Sequence, residues 1–437
     1  MKEEVFLMTK AYRELDEQER KAELEKLQAR YDEYKARGLN LNMARGKPSP
    51  EQLDAINPMI GCIGENDYRS RDGLDLRNYS GIQSLPEINE VFAEILHVPS
   101  ENVLVYGNGS LGLMYDTFLS ACIDALPGAE EGWFKSCGGP ENVKVLCPCP
   151  GYDRHFRIAE KLGTTLIPIK MTENGPDMDA VEEYCQDPNV KAMWLVPVYS
   201  NPQGYVCSDE TYERLVNMET AADFRVFLDH AYGAHHLTSW HPQIPRLLDM
   251  AKEAGHPNRF FYFASTSKIT FASAGIAAMA GSTEDMEWYM RQLSVQSIGP
   301  DKIQQLRHVR FFEQMGGVEE IMKKHRDSLR PKFHAVLSEL DQQLSDLDIA
   351  DWTKPKGGYF ISVDLMDGTA KRTWDLCKEA GVILTKPGAT FPYGNDPRDS
   401  NIRIAPSFPP VEELEMAIKV FCTAARLAAL EKLEEQA

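Results

Sequence analysis

Between about residues 100 and 280 the chain alternates apolar runs with amphipathic ones, and no other feature limits the fold as much. ENVLVYGNGS precedes the helix-like LGLMYDTFLSACIDAL, VKVLCPCPGY precedes DRHFRIAEKLG, and TTLIPIKM precedes DMDAVEEYC. KAMWLVPVYSNPQG precedes ETYERLVNMETAAD, and FRVFLDHAY leads through an irregular stretch to RFFYFAS. A strand that is apolar along its whole length needs cover on both faces, and parallel neighbours need a long crossover, which a helix supplies. The pattern predicts an α/β fold with a mostly parallel sheet between helices. In such sheets ligands bind beyond the carboxyl ends of the strands. Gly107–Ser110, Pro150–Tyr152, Asn201–Gly204, Asp229–Tyr232 and Ser265–Lys268 all fall at that edge.

A chain of 437 residues exceeds what one core usually serves, so two domains are expected. Residues 10–37 are highly charged, with Leu24, Leu27, Tyr31 and Tyr34 recurring at helical spacing and Gly38 as the stop. They read as an amphipathic arm laid on something else. Residues 301–345 have a helical pattern broken at Gly316-Gly317, with a kink expected at Pro331. Beyond them lie a strand in GGYFISVDL, a helix over 369–380, a strand in SNIRIAPSF and a last helix after Pro409-Pro410. The expected division is an arm with part of a small domain over 1–50, a large domain over 51–317 and a small domain over 318–437.

Sixty-six acidic against 47 basic side chains leave a net charge of −19, which argues against nucleic acid or an anionic membrane as partner. No run reaches the length that spans a bilayer, and the first residues have no basic start followed by an apolar core. Nine scattered cysteines, an odd number, suit free thiols in a reducing cytoplasm. Cys147-Pro148-Cys149 lacks a second Cys/His pair nearby, and His230, His235, His236 and His241 sit in one irregular loop. No metal is expected at either place.

The chemistry gathers at the strand ends. Lys268, between an apolar strand and a run of small residues, is placed to have its ammonium disfavoured and its amine available to carbonyls; a surface lysine in a loop is the other reading. Gly107-Asn108-Gly109-Ser110 follows a strand and opens a helix, so backbone N–H groups and the helix dipole point at one spot suited to a phosphate. A plain turn is the alternative, and the match to a dinucleotide fingerprint fails because the next strand ends in Cys147-Pro148-Cys149-Pro150. Tyr152 offers an aromatic face. Asp229 ends an apolar strand, where a carboxylate needs a cation or donors. Asn201 and Tyr232 could hold a phenolate oxygen.

Asn-Pro-x-Gly at 201–204, Asp-x-Ala-Tyr at 229–232, Ser-x-Ser-Lys at 265–268 and Arg403, in that order, resemble the fold-type I pyridoxal-phosphate aminotransferases. LNMARGKPS and SKITFASAG are similar to the subgroup of aspartate aminotransferases related to the effector domain of MocR-type regulators. The resemblance runs from about residue 40 to the C-terminus. It implies a large domain built on a seven-stranded, mostly parallel sheet and a smaller α+β domain. It also implies pyridoxal 5'-phosphate as cofactor, attached to Lys268, which then shuttles the proton. Asp229 would face the ring nitrogen with His155 behind it, Tyr152 would stack, and Asn201 and Tyr232 would bond the ring oxygen. Gly109, Ser110, Leu111, Ser265 and Ser273 would hold the phosphate, joined by Tyr79 from a second subunit of a homodimer with shared active sites. Arg403 would take the substrate α-carboxylate, and Gly46 would close over the substrate.

The sequence departs from the family in two places. Ile276 stands where many relatives carry a phosphate-binding arginine, and LSVQSIGPDK lacks an arginine for a distal carboxylate, leaving Arg45, Lys47 and Arg154 as candidates. The implied activity is amino transfer from aspartate to 2-oxoglutarate by a ping-pong route. Transfer from other amino acids, a lyase on the same site, and a cofactor-binding sensor domain are the alternatives. The short, non-basic stretch before residue 40 argues against the sensor reading.

Overall fold

The computed structural model describes residues 10–436. The expectation about a secretory start falls largely on residues 1–9, outside the described residues. The described chain divides into two compact units, one of residues up to Ser49, Asn201–Gly204 and Asp327–Ala437, the other of Pro50–Ser200 and Tyr205–Arg326.

The second unit holds the alternating region. Its sheet contains β1 (Val103–Val105), β2 (Lys144–Cys149), β3 (Thr165–Thr172), β4 (Gly175–Pro176), β5 (Val190–Leu195), β6 (Arg225–Asp229), β7 (Phe260–Ser265) and β8 (Ala277–Ala280). They lie in the order β1-β8-β7-β6-β5-β2-β3-β4. β7, β6, β5, β2 and β3 pair in parallel, whereas β8 runs antiparallel to β1 and β7 on either side of it. The sheet is mostly parallel, with eight strands where seven were expected. The eighth is the two-residue β4, a return after Thr172 that pairs antiparallel with β3 and is too short to leave a pattern in the sequence. Every residue of β5 and β6 is buried, which explains why they are apolar apart from Lys191, Arg225 and the terminal Asp229.

Buried charge pairs interrupt that apolar interior, and on β5 Lys191 Nζ lies 2.7 Å from Asp223. Arg225 opens β6, and its guanidinium meets Asp285 at 2.9 Å with both side chains almost fully enclosed. The remaining Arg225 donors go to the carbonyls of Pro127, Ala222 and Phe224, so the cation is fully hydrogen-bonded.

In the other unit Ile361–Leu365 lies antiparallel between Ala350–Trp352 and Asn401–Ile404, and Leu41–Asn42 pairs in parallel with Val382–Ile383. The helix Glu17–Ala36 starts at a capping box, Asp16 accepting the Glu19 N–H while Glu19 accepts that of Asp16. It ends before Gly38, whose φ of +62° suits glycine. Leu27, Tyr31 and Tyr34 form its buried face. It packs on the C-terminal helix Val411–Glu435, where Arg426 donates to the Tyr12 hydroxyl at 2.7 Å and to Glu23.

Helices Lys302–Met315 and Val318–Leu344 are separated by Gly316 and Gly317, at φ +81° and +106°. The compact units divide at Arg326/Asp327, inside the second of these helices and not at its start. Hydrophobic continuity along that helix hides the division from the sequence. Among the described residues no helix is long and apolar enough to cross a membrane.

Candidate active site

Four of the five strand ends singled out above lie in the sheet unit, and the fifth, Asn201–Gly204, groups with the other unit. β6 ends in Asp229, which is 2 % exposed. His155 Nε2 stands 3.0 Å from Asp229 Oδ2, while Asp229 Oδ1 has no hydrogen-bond partner among the described residues. His155 is held between neighbours. Its ring stacks on Trp194 at 4.7 Å and meets Tyr152 edge-on at 5.0 Å. A buried carboxylate oxygen without a donor is costly, so this one suits a protonated ligand nitrogen.

On the neighbouring strand β7, Ser265 is the last residue and Lys268 follows three positions later. Lys268 Nζ lies 4.8 Å from the centroid of the buried Tyr232 ring. Desolvation pushes the Lys268 pKa down, and the Asp229 charge opposes that shift. The Ser265 hydroxyl donates to Ser267 at 3.0 Å.

Gly109 caps the helix Ser110–Ile123 without a side-chain hydrogen bond, and Gly107 has φ +72°. A Cβ at Gly107, Gly109 or Gly112 would meet nothing within 4 Å, so this turn faces open space. Gly107, Asn108 and Ser273 line a cavity of about 460 Å³ together with Tyr106, Ile276 and Gln304. Leu111 and Ser273 are exposed, and Tyr79 is 83 % exposed. The Ile276 side chain is 3 % exposed and packs in the core, so it contributes only backbone to this region.

In the other unit Arg403 donates to Asn201 Oδ1 and to Thr385 Oγ1, each at 3.2 Å. Its guanidinium lies 4.6 Å over the Phe360 ring. Gly46 approaches the same ring so closely that a Cβ there would stand 2.6 Å from Phe360 Cζ. Thr385 also donates to the Ala44 carbonyl at 2.7 Å, tying Arg403 to the 44–46 segment. Arg45, Lys47 and Arg154, considered for a distal carboxylate, are all exposed; Lys47 sits over the Phe408 ring at 3.7 Å and Arg154 lies 3.8 Å from Asp153.

Thr385, Phe360, Gln304 and His308 were not apparent from the sequence. Only the i, i+4 spacing of Gln304 and His308 on a helical pattern hinted that they share a face.

Among the described residues no three His, Cys, Asp or Glu side chains gather to hold a metal ion. The four loop histidines are spread over separate contacts. His230 stacks on Tyr262, His235 reaches the Lys268 carbonyl, and His236 stacks on His241 and bonds Tyr199. None of the nine cysteines is in a disulfide.

A mostly parallel sheet with a desolvated lysine and a buried acid at adjacent strand ends is the architecture of the fold-type I pyridoxal-phosphate aminotransferases. Residues 15–437 match the family described as aspartate amino-transferase, and the chain belongs to that family. It is 45% identical over 408 residues to an aspartate aminotransferase of Corynebacterium glutamicum, covering 93% of this chain and 94% of that protein. The crystal structure of an aspartate transaminase from the same organism superposes with a TM-score of 0.94 at 43% identity, covering 97% of this chain and 100% of that one. The α-aminoadipate aminotransferase of Thermus thermophilus, solved with N-(5'-phosphopyridoxyl)-L-leucine, shares the fold at a TM-score of 0.71 and 21% identity, covering 91% and 95%. The protein is an aminotransferase.

Proposed function

We propose that the protein transfers the amino group of aspartate to 2-oxoglutarate by a ping-pong route, with pyridoxal 5'-phosphate as cofactor. The observation that carries the cofactor reading is the partnerless oxygen of buried Asp229 one strand from a desolvated lysine. When bound, the cofactor supplies an aldehyde that takes up amines and a ring that draws electrons from the bond to be broken.

The chain's own residues do the rest. Asp229, oriented by His155, would hold a proton on the ring nitrogen through Oδ1. Lys268 Nζ would attach the cofactor covalently, and after release would take the proton from the substrate Cα and deliver it to the carbon that had been the cofactor's aldehyde. The lowered Lys268 pKa supports both roles, since a neutral amine is the form that attacks and accepts. Tyr152 would cover the ring, and Asn201 and Tyr232 would bond its oxygen. The backbone from Gly109 to Leu111, with Ser110, Ser265 and Ser273, would hold the phosphate, using N–H dipoles and hydroxyls where Ile276 offers no charge. Arg403 would grip the α-carboxylate through its planar fork, with Gly46 closing over it.

Aspartate as donor is supported by the Corynebacterium glutamicum relative's name. Arg45, exposed and one residue before Gly46, is our assignment for the distal carboxylate. A homodimer in the cytoplasm completes the proposal, with Tyr79 reaching the partner's phosphate site. The exposure of Tyr79 and of Val295 and Ile298, at 83, 90 and 63 %, supports a surface that another copy covers.

Assays over amino acid and oxo acid pairs test the function. Conversion of aspartate only in the presence of 2-oxoglutarate is expected; release of ammonia or CO2 without an oxo acid would sink the proposal.

A further inference from the structure

The turn between β7 and β8 carries Lys268, and a closed set of buried groups determines its path. The Thr266 N–H donates to the Ile276 carbonyl at 2.9 Å, and the Ile276 N–H donates to Thr266 Oγ1 at 3.0 Å. Thr270 Oγ1 lies 3.1 Å from Thr266 Oγ1. Both hydroxyls converge on His308 Nε2, at 3.0 and 3.1 Å. Thr266, Thr270 and His308 are at most 1 % exposed. Gly275 closes the back of the turn, where a Cβ would stand 3.0 Å from Thr266 Oγ1.

The direction of these bonds follows from the far side of the imidazole. His308 Nδ1 lies 2.8 Å from the Gln304 carbonyl oxygen, which only accepts, so the ring proton is on Nδ1. Burial pushes the His308 pKa down to about 4, leaving Nε2 with a lone pair at neutral pH. Thr266 Oγ1 already accepts the Ile276 N–H, so its own proton is available to Nε2. Two further imidazoles brace the same turn from outside. His325 Nε2 donates to the Ile269 carbonyl at 2.9 Å, and His235 Nε2 lies 3.3 Å from that of Lys268.

We propose that His308 is a positioning residue for amino transfer, accepting the Thr266 hydroxyl, onto which the Thr270 hydroxyl closes, and so setting the turn that aims the Lys268 amine. The proposal rests on the reading of Lys268 as the cofactor-bearing lysine. His308 touches neither substrate nor reacting atoms; it acts through the two threonines. The same bonds give Ile276 a task, since its backbone and not its side chain ties the turn to β8.

The test compares His308→Phe, which removes the acceptor, with His308→Gln, which restores one, in the cofactor-loaded enzyme. His308→Phe is expected to lower kcat by about a hundredfold, as small displacements of a reacting group do. The KM for the amino donor should stay unchanged and the pH midpoint of the cofactor absorbance should move. His308→Gln should recover most of both. If His308→Phe does not fold, Thr270→Val probes the same lock with the same readouts. Unchanged kcat and absorbance midpoint in the acceptor-less variant would overturn the proposal, as would equal losses in Phe and Gln variants that follow thermal stability alone. Lys268→Ala separates the two readings: a borohydride-trapped adduct that survives it refutes the assignment of Lys268, whatever His308 does.

Discussion

His155 Nε2 lies 3.0 Å from Asp229 Oδ2, and the other oxygen of that buried carboxylate has no partner among the described residues. The histidine thus occupies one side of Asp229 and directs the vacant oxygen away from itself. Its ring is in turn locked by stacking on Trp194, so the carboxylate inherits its orientation from the core.

His155→Leu should keep the packing on Trp194 and lose the bond to Asp229. With both carboxylate oxygens then buried and unsatisfied, about 1–3 kcal/mol of desolvation cost is uncompensated. Cofactor affinity measured by equilibrium dialysis should fall, and kcat with it. Unaltered affinity would show that Asp229 needs no such support.

Arg403→Lys keeps the charge and loses the planar fork that meets Asn201 and Thr385. A loss of about 1.5–3 kcal/mol in binding of the α-carboxylate is expected, read as a rise in KM for both amino and oxo acid. A change in kcat at constant KM would place Arg403 away from the substrate.

Gly46→Ala places a methyl 2.6 Å from Phe360 Cζ, on the ring that underlies Arg403. Relief requires either the ring or the 44–46 segment to shift, at about 1–3 kcal/mol for an overpacked site. Thermal unfolding should report the cost, and KM should rise because the arginine loses its seat. Wild-type values for both would mean the segment relaxes freely.

Acid should destabilise the fold through its enclosed imidazoles. Burial holds His308 and His230 at about 4 and His235 at about 3, below the usual value near 6.5. Below about pH 6.5 the unfolded chain therefore binds more protons than the folded one, and stability falls as pH drops toward 4. Urea midpoints between pH 7 and pH 4 should decline, and His230→Phe, which removes a ring with no hydrogen-bond partner at either nitrogen among the described residues, should shallow the slope. A midpoint independent of pH over that range would contradict the account.

Much of the sheet unit was legible because strands buried on both faces must be apolar throughout, and because the polar residues that end them break that rule sharply. Asp229 after FRVFL and Lys268 after RFFYFAS stand out for this reason. The connections across long sequence distances left no such mark. His308 on Lys302–Met315 looks like any histidine on an amphipathic helix until Thr266 and Thr270 are brought to it. Thr385 and Phe360 are ordinary residues whose value lies in touching Arg403. Ile276 carries no cation for a phosphate, and its contribution is an amide and a carbonyl, which any residue supplies.

The bonds from Arg426 to Tyr12 and Glu23 join residues 414 and 403 positions apart. The helix Glu17–Ala36, charged on one face and apolar on the other, therefore waits for its partners until the last part of the chain has been made. The sheet, whose strands end at Ala280, is complete in sequence well before then. Synthesis order thus separates the two units in time: one can assemble as it is translated, the other only after nearly the whole chain has been released.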